Sequence, residues 1–224
     1  MLKAVIFDMD GVIINSEPQH YQAYVMVCQE YGIEFPYEEY KGFIGGTHQK
    51  VCEYVSYELK VPLSPEVIRE KIRENIAYLI KTEGYEEIKG IKSLIQDLYK
   101  NQYKLAIASS SPQKEIQAVV DFLGIQDCFE KLISGESVTH PKPSPEIFEK
   151  AMKELGVTKD ECVIIEDSSN GVNAGCSAGV PVLGFYNPDS GNQDLSRAVM
   201  VVEGFEEVDA DFIKKVYQRA HKLP

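Results

Sequence analysis

The chain has 224 residues, with 23 Lys+Arg against 35 Asp+Glu and a formal charge of −12. Its 44% apolar and 26% charged residues suit a folded protein with one large domain and room for a smaller insert, and exclude a disordered one. The acidic balance speaks against broad nucleic-acid binding, and apolar stretches of at most six residues fall far short of the ~20 a membrane-spanning helix needs.

Lys3-Ala4-Val5-Ile6-Phe7 is a continuous apolar run closed by Asp8, the pattern of a strand buried on both faces. Residues 16–86 follow with helical patterns only. Val67, Ile68, Ile72, Ile76, Leu79 and Ile80 behind Ser64-Pro65 predict one helix, and nine of the thirteen tyrosines lie in this stretch, where packing between helices is their expected use. Ile91, Leu94, Ile95 and Leu98 predict the next helix, and Lys104-Leu105-Ala106-Ile107-Ala108 a strand ending in Ser109. Ile116, Val119, Val120 and Leu123 predict a helix stopped by Gly124, with Ser111-Pro112 as its start. Leu132-Ile133 is a weaker strand. A helix carrying Ile147, Phe148, Ala151, Met152 and Leu155 is punctuated by Ser144-Pro145 before it and Gly156 after it. Cys162-Val163-Ile164-Ile165 ends in Glu166-Asp167, and Val182–Phe185 and Val199–Val202 close the series of strands. The alternation predicts an α/β fold, a Rossmann-like parallel sheet core with helices on both faces, formed by residues 1–15 and 87–224. Residues 16–86 are predicted to be an inserted all-helical cap.

Ligands of an open parallel sheet bind at the carboxyl ends of its strands. Three predicted strands end in polar residues, Asp8, Ser109 and Glu166-Asp167, and these converge if the strands are neighbours. Five scattered cysteines without a C-x-x-C pair, and four His without metal-ligand spacing, give no zinc site or disulfide framework and point to a reducing, cytoplasmic setting. The early Asp8 and Asp10 do not fit a signal peptide.

Asp8-Met9-Asp10-Gly11-Val12, Ser109, Lys142 in Lys142-Pro143-Ser144-Pro145, and Glu166-Asp167-Ser168-Ser169-Asn170-Gly171 continuing to Ala178-Gly179-Val180 together resemble the four motifs of the haloacid dehalogenase superfamily. The resemblance covers essentially the whole chain, and the helical insert directly after the first motif is similar to the small cap of the β-phosphoglucomutase-like branch. It implies an aspartyl-phosphate mechanism with Asp8 as nucleophile and Asp10 as general acid and base. Ser109, Ser110 and Lys142 are implied as phosphate-binding. Mg2+ is the implied cofactor, with Asp8, Asp167, the Asp10 backbone carbonyl and Glu166 around it. For Glu166, direct ligation, ligation through water and a structural role at the strand end stand open.

A carboxylate attacking a phosphate dianion faces like-charge repulsion, and Asp8 and Asp167 offer the hard oxygens that Mg2+ prefers. In the insert, His20 at the hinge and Gly46, His48 and Gln49 in the Gly45–Gln49 loop are the candidate substrate contacts. Asp10 and Asp167 argue against metal-free dehalogenation. The expected activity is hydrolysis of small phosphate monoesters, sugar phosphates foremost, with a phosphosugar mutase as the alternative. No nucleic-acid or membrane partner is expected.

Overall fold

The structure is a computed structural model that describes residues 1–44, 47–191 and 193–221. In chain order its elements are β1 (Ala4–Phe7), α1 (Glu17–Gln29), α2 (Tyr37–Tyr40), α3 (His48–Tyr57), α4 (Pro65–Glu83), α5 (Ile91–Lys100), β2 (Lys104–Ser109), α6 (Gln113–Leu123), β3 (Lys131–Ser134), α7 (Glu146–Leu155), β4 (Cys162–Glu166), α8 (Ser169–Ser177), β5 (Val182–Phe185), β6 (Met200–Val202) and α9 (Ala210–Ala220). They fall into two compact units, one of residues 1–15, 86–188 and 193–224, the other of residues 16–85 and 189–192. The short segment Asp189–Asn192 thus groups with the helical residues, although it follows the fifth strand; Gly191 packs there against Ile44.

The first unit is built on a six-stranded parallel sheet in the order β3-β2-β1-β4-β5-β6. All six predicted strands are present within a residue of their sequence limits, and the weakest signal, β6, is an edge strand with Val201 exposed. On one face Ala4, Ile6, Ala106, Ala108, Ile164 and Val182 pack against Phe148, Ala151, Met152 and Leu155 of α7 and Val172 and Ala174 of α8. Strand side chains alternate between faces, so Val5, Phe7, Leu105, Ile107, Val163 and Ile165, all fully buried, serve the opposite face, where α5 and α9 lie against β2 and β4. Burial on both faces is why these strands read as unbroken apolar runs. Gly124 and Gly156 end α6 and α7 in the left-handed conformation, at φ 64° and 66°.

The second unit contains α1 to α4, and among the described residues no strand. Its core joins Ala23, Tyr24, Val27 and Cys28 of α1 to Cys52 and Val55 of α3 and Ile68, Ile72 and Leu79 of α4, with Phe35 and Tyr40 between them. Tyr21, Tyr24, Tyr37 and Tyr40 meet one another in edge-on and tilted ring contacts, and Tyr21 and Tyr24 meet Phe35 edge-on, so these tyrosines pack between helices as the sequence suggests. Their hydroxyls reach polar partners at the margin, as from Tyr40 to Glu17 at 2.7 Å and from Tyr21 to the Phe35 carbonyl at 2.7 Å. Among the described residues no helix is long and apolar enough to cross a membrane.

Candidate active site

The register of the sheet assembles the site. Phe7 stands beside Ile107 on one side and Ile165 on the other, so Asp8, Ser109 and Glu166 leave three adjacent strands at the same end. Asp8 keeps the strand hydrogen bond from its N–H to the Ile165 carbonyl, at 2.9 Å, and the chain then turns sharply. Met9 accepts from the amides of Val12 and Ile13, and Gly11 adopts φ 82°, a conformation that glycine takes without strain. Asn187, buried behind β5, donates to the Gly11 carbonyl at 3.1 Å and clamps this turn.

Lys142 sits at the centre. Its ammonium donates to Asp8 Oδ1 at 2.5 Å, to Glu166 Oε1 at 2.8 Å and to the Ala108 carbonyl at 3.0 Å, which uses all three of its protons. The Phe148 ring lies 4.9 Å from the same nitrogen. Burial alone would lower the lysine pKa, but the carboxylates of Asp8 and Glu166 overcome that and hold it above its ordinary value. For Asp8 the balance is reversed and burial wins. Burial pushes its carboxyl up to about 7, the charges of Glu166 and Asp10 add to the rise, and Lys142 opposes it. Lys142 is expected to bind phosphate; in the structure its three donors meet protein acceptors, Asp8 among them.

Glu166 is fully buried, and both of its oxygens accept from protein donors: Oε1 from Lys142, Oε2 from the Ser168 amide at 2.8 Å and hydroxyl at 3.0 Å. Ser168 also caps α8 by accepting from the Gly171 amide at 3.0 Å. Gly171 leaves the room that this arrangement needs, since a Cβ there would lie 1.5 Å from Glu166 Oε1. Asp167, also buried, has its backbone carbonyl bonded by Gln193 at 2.5 Å. One carboxylate oxygen from each of Asp8, Glu166 and Asp167 lies within 4.8 Å of the others. Hard oxygens at this spacing suit a small divalent cation such as Mg2+. Asp8, Glu166 and Asp167 are all candidate ligands, and Glu166 in addition accepts three hydrogen bonds from Lys142 and Ser168.

Asp10 stands apart from that cluster. Its Oδ2 accepts from the Ser111 hydroxyl at 2.6 Å and, at a longer 3.4 Å, from Ser109. Its Oδ1 is buried without a hydrogen-bond partner among the described residues. Ser109 is buried at the end of β2, and Ser110 beside it is exposed. Ser111 was missed in the sequence, where Ser-Pro before a helix reads as a cap. In the structure α6 starts at Gln113, whose amide is capped by Glu136 at 3.0 Å, and the Ser111 hydroxyl turns to Asp10. Glu115 on α6 is a second addition, half-buried and pushed up to about 7 by burial and by the charge of Asp10. His140 is exposed and pairs with Glu146, outside the cluster.

The remaining candidates lie in the second unit. His48 Nδ1 is 2.8 Å from the Tyr24 hydroxyl, and the His20 ring meets the His48 ring edge-on at 5.2 Å. Gln49 donates to Glu53 at 2.7 Å, while its Oε1 is buried without a partner among the described residues. Gly46 lies outside the described residues.

A family model described as haloacid dehalogenase-like hydrolase matches residues 5–185. A phosphorylated carbohydrates phosphatase of Thermotoga maritima is 30% identical over 179 residues, 80% of this chain and 82% of that protein. A 6-phosphogluconate phosphatase of Escherichia coli is 31% identical over 186 residues, 82% of each chain. Among solved structures, a β-phosphoglucomutase from Clostridium difficile superposes with a TM-score of 0.78 at 28% identity, covering 99% of this chain and 100% of that one. The chain belongs to the haloacid dehalogenase-like hydrolase family and is similar to its β-phosphoglucomutase-like members.

Proposed function

We propose that this protein is a phosphatase that hydrolyses small phosphate monoesters, sugar phosphates foremost, through a phosphorylated Asp8. The observation that carries the reading is the Lys142 ammonium fixed between the buried Asp8 and Glu166 carboxylates, with Asp167 alongside. That arrangement keeps a carboxylate nucleophile in place and screens it on one side. Asp8 and Asp167 would hold Mg2+, which when bound supplies the positive charge that offsets repulsion between carboxylate and phosphate. Asp10 delivers a proton to the departing alkoxide and then takes one from the attacking water. Glu166 anchors Lys142, and Ser109 with the amides after β2 offers donors to phosphoryl oxygens. His20, Gly46, His48 and Gln49 remain proposed substrate contacts, tested by their effect on KM.

The phosphatase relatives support hydrolysis of a phosphorylated carbohydrate. The likeness to a β-phosphoglucomutase favours a second reading, transfer between two positions of a sugar. A mutase must grip a second phosphate, for which Arg is best suited. Residues 47–49 are Thr, His and Gln, and the second unit carries arginine only at Arg69 and Arg73. Release of inorganic phosphate from a panel of sugar phosphates with Mg2+, without a bisphosphate primer, is the expected result. β-Glucose 1-phosphate with a trace of the 1,6-bisphosphate decides between the readings. Accumulation of glucose 6-phosphate faster than free phosphate overturns hydrolysis.

The raised Asp8 pKa makes cation binding proton-linked. A carboxyl that holds its proton up to about 7 must release it to ligate. Apparent Mg2+ affinity therefore rises with pH, by up to about tenfold per unit for one linked proton, until it levels off above pH 7. Thermal-shift titrations with MgCl2 in acidic, neutral and mildly alkaline buffer measure it, and an affinity constant across that range counts against this assignment.

A further inference from the structure

We infer that Ser111 is a positioning residue that holds Asp10 by Oδ2, so that Oδ1 is the oxygen through which protons pass to and from the substrate. The inference rests on the acid–base reading of Asp10 proposed above and adds the residue that sets its geometry. Three observations carry it. The Ser111 hydroxyl donates to Asp10 Oδ2 at 2.6 Å, and Ser109 approaches the same oxygen at 3.4 Å. Asp10 Oδ1 is buried with no partner among the described residues. Ser111 is itself held: its amide donates to Ser109 Oγ at 3.0 Å, and its carbonyl accepts from the buried Ser134 hydroxyl at 2.7 Å.

Ser134 in turn is tied to the loop after β3, accepting from the Glu136 amide at 3.1 Å and, at its carbonyl, from the Ser137 hydroxyl at 2.6 Å. Gly135 packs so close to Ser110 that a Cβ would lie 2.8 Å from the Ser110 carbonyl oxygen. The loop after β2 is therefore braced on its neighbouring strand. The cap of α6 is supplied by Glu136, which leaves the Ser111 hydroxyl to Asp10.

The asymmetry has a chemical consequence. A neutral carboxyl has one O–H donor, and an oxygen that already accepts a strong hydrogen bond is the poorer place for that proton. The proton is thus directed to Oδ1. A buried polar atom without a partner costs folding free energy, and such atoms in a native structure call for an explanation. A substrate oxygen supplies the missing partner. In the first step an Asp8 oxygen bonds to phosphorus as the ester P–O bond breaks, and the alkoxide takes the proton from Asp10 Oδ1. In the second, water bonds to phosphorus as the Asp8–phosphorus bond breaks, and Oδ1 takes the water proton. The sum is ester plus water to alcohol plus phosphate, with Asp10 restored.

The test compares Ser111→Ala, Ser111→Thr and Asp10→Asn on phenyl phosphate and p-nitrophenyl phosphate, which share a shape but differ in the need for protonation. Ser111→Ala is expected to lower kcat/KM, which reports the leaving-group step, by about tenfold to a hundredfold for phenyl phosphate, the scale of a misplaced catalytic group, and by no more than about twofold for p-nitrophenyl phosphate, while kcat, which includes the shared water step, falls for both. Ser111→Thr keeps the hydroxyl and restores most of the loss. In the Asp10→Asn background, Ser111→Ala adds nothing. Equal losses in kcat/KM on both substrates for Ser111→Ala, failure of Thr to rescue, or an additive double variant overturns the inference while an Asp10→Asn loss in kcat/KM that is selective for the poorer leaving group leaves the acid–base reading standing. An Asp10→Asn loss in kcat/KM that is the same for both substrates overturns that reading and this inference with it.

Discussion

Asp8→Asn is expected to abolish turnover and to leave no phosphorylated protein after denaturing quench. An amide nitrogen or oxygen of similar shape cannot form the acyl phosphate, so the loss reaches the detection limit on every substrate, whatever its leaving group. Stability should move the opposite way. Four carboxylates, Asp8, Asp10, Glu166 and Asp167, share this end of the sheet with one buried ammonium, and burial raises the Asp8 pKa to about 7. A folded-state pKa above the unfolded value means that Asp8 favours the folded state most below its unfolded pKa, and that this contribution is lost as pH rises through about 7. In Mg2+-free buffer above pH 7 the Asn variant should therefore melt higher than wild type, with the gap closing on acidification. Mass spectrometry of the quenched protein and melting curves at acidic and alkaline pH read both effects. Residual phosphoprotein in Asp8→Asn removes Asp8 as the nucleophile, and a variant that melts lower at alkaline pH shows that the Asp8 charge does not destabilise the fold.

The parts of this site that were legible in sequence are those fixed by strand ends. Asp8, Ser109 and Glu166-Asp167 each close an apolar run, and a parallel sheet places such ends together once the order is known. Lys142 was legible only through the family resemblance, because a Lys before Pro in a loop carries no signal of burial. Ser111 was hidden by a competing local rule: Ser-Pro ahead of a helix is a good start signal, and nothing in the sequence shows that Glu136, 23 residues from Gln113, supplies the cap instead. Asn187 and Gln193 clamp the first and fourth motifs from the loop after β5, with no local pattern to mark them. Gly171 was visible as a letter of its motif, but its reason is a close approach to Glu166 across a turn, which only the folded chain displays. In the second unit the tyrosine-rich helices were legible as a unit, while the contact of Tyr24 with His48 depends on how α1 meets α3.

Lys142→Met should carry the second-largest effect, and its pH dependence separates charge from packing. The methionine side chain fills much of the space against Phe148 but leaves Asp8 Oδ1, Glu166 Oε1 and the Ala108 carbonyl without their shared donor. Removing one partner of a buried ion pair typically costs about 3–5 kcal/mol of stability, because the charges left behind are uncompensated. Part of that cost is avoided if Asp8 takes up a proton. Lys142 is the group that opposes the rise of the Asp8 pKa, so without it Asp8 stays protonated to higher pH than about 7. Turnover near neutrality should fall on the order of 10²–10³-fold, the usual scale for loss of one preorganised electrostatic donor. It should then climb with pH in the variant where the wild type has already levelled off. Lys142→Arg should recover little of it, since a planar guanidinium cannot point three protons from one nitrogen at three converging acceptors. Rate profiles from mildly acidic to alkaline pH, alongside denaturant titrations, provide the measurement. A Lys142→Met variant whose rate keeps the wild-type pH profile, merely scaled down, shows that Lys142 does not act through the ionisation of Asp8.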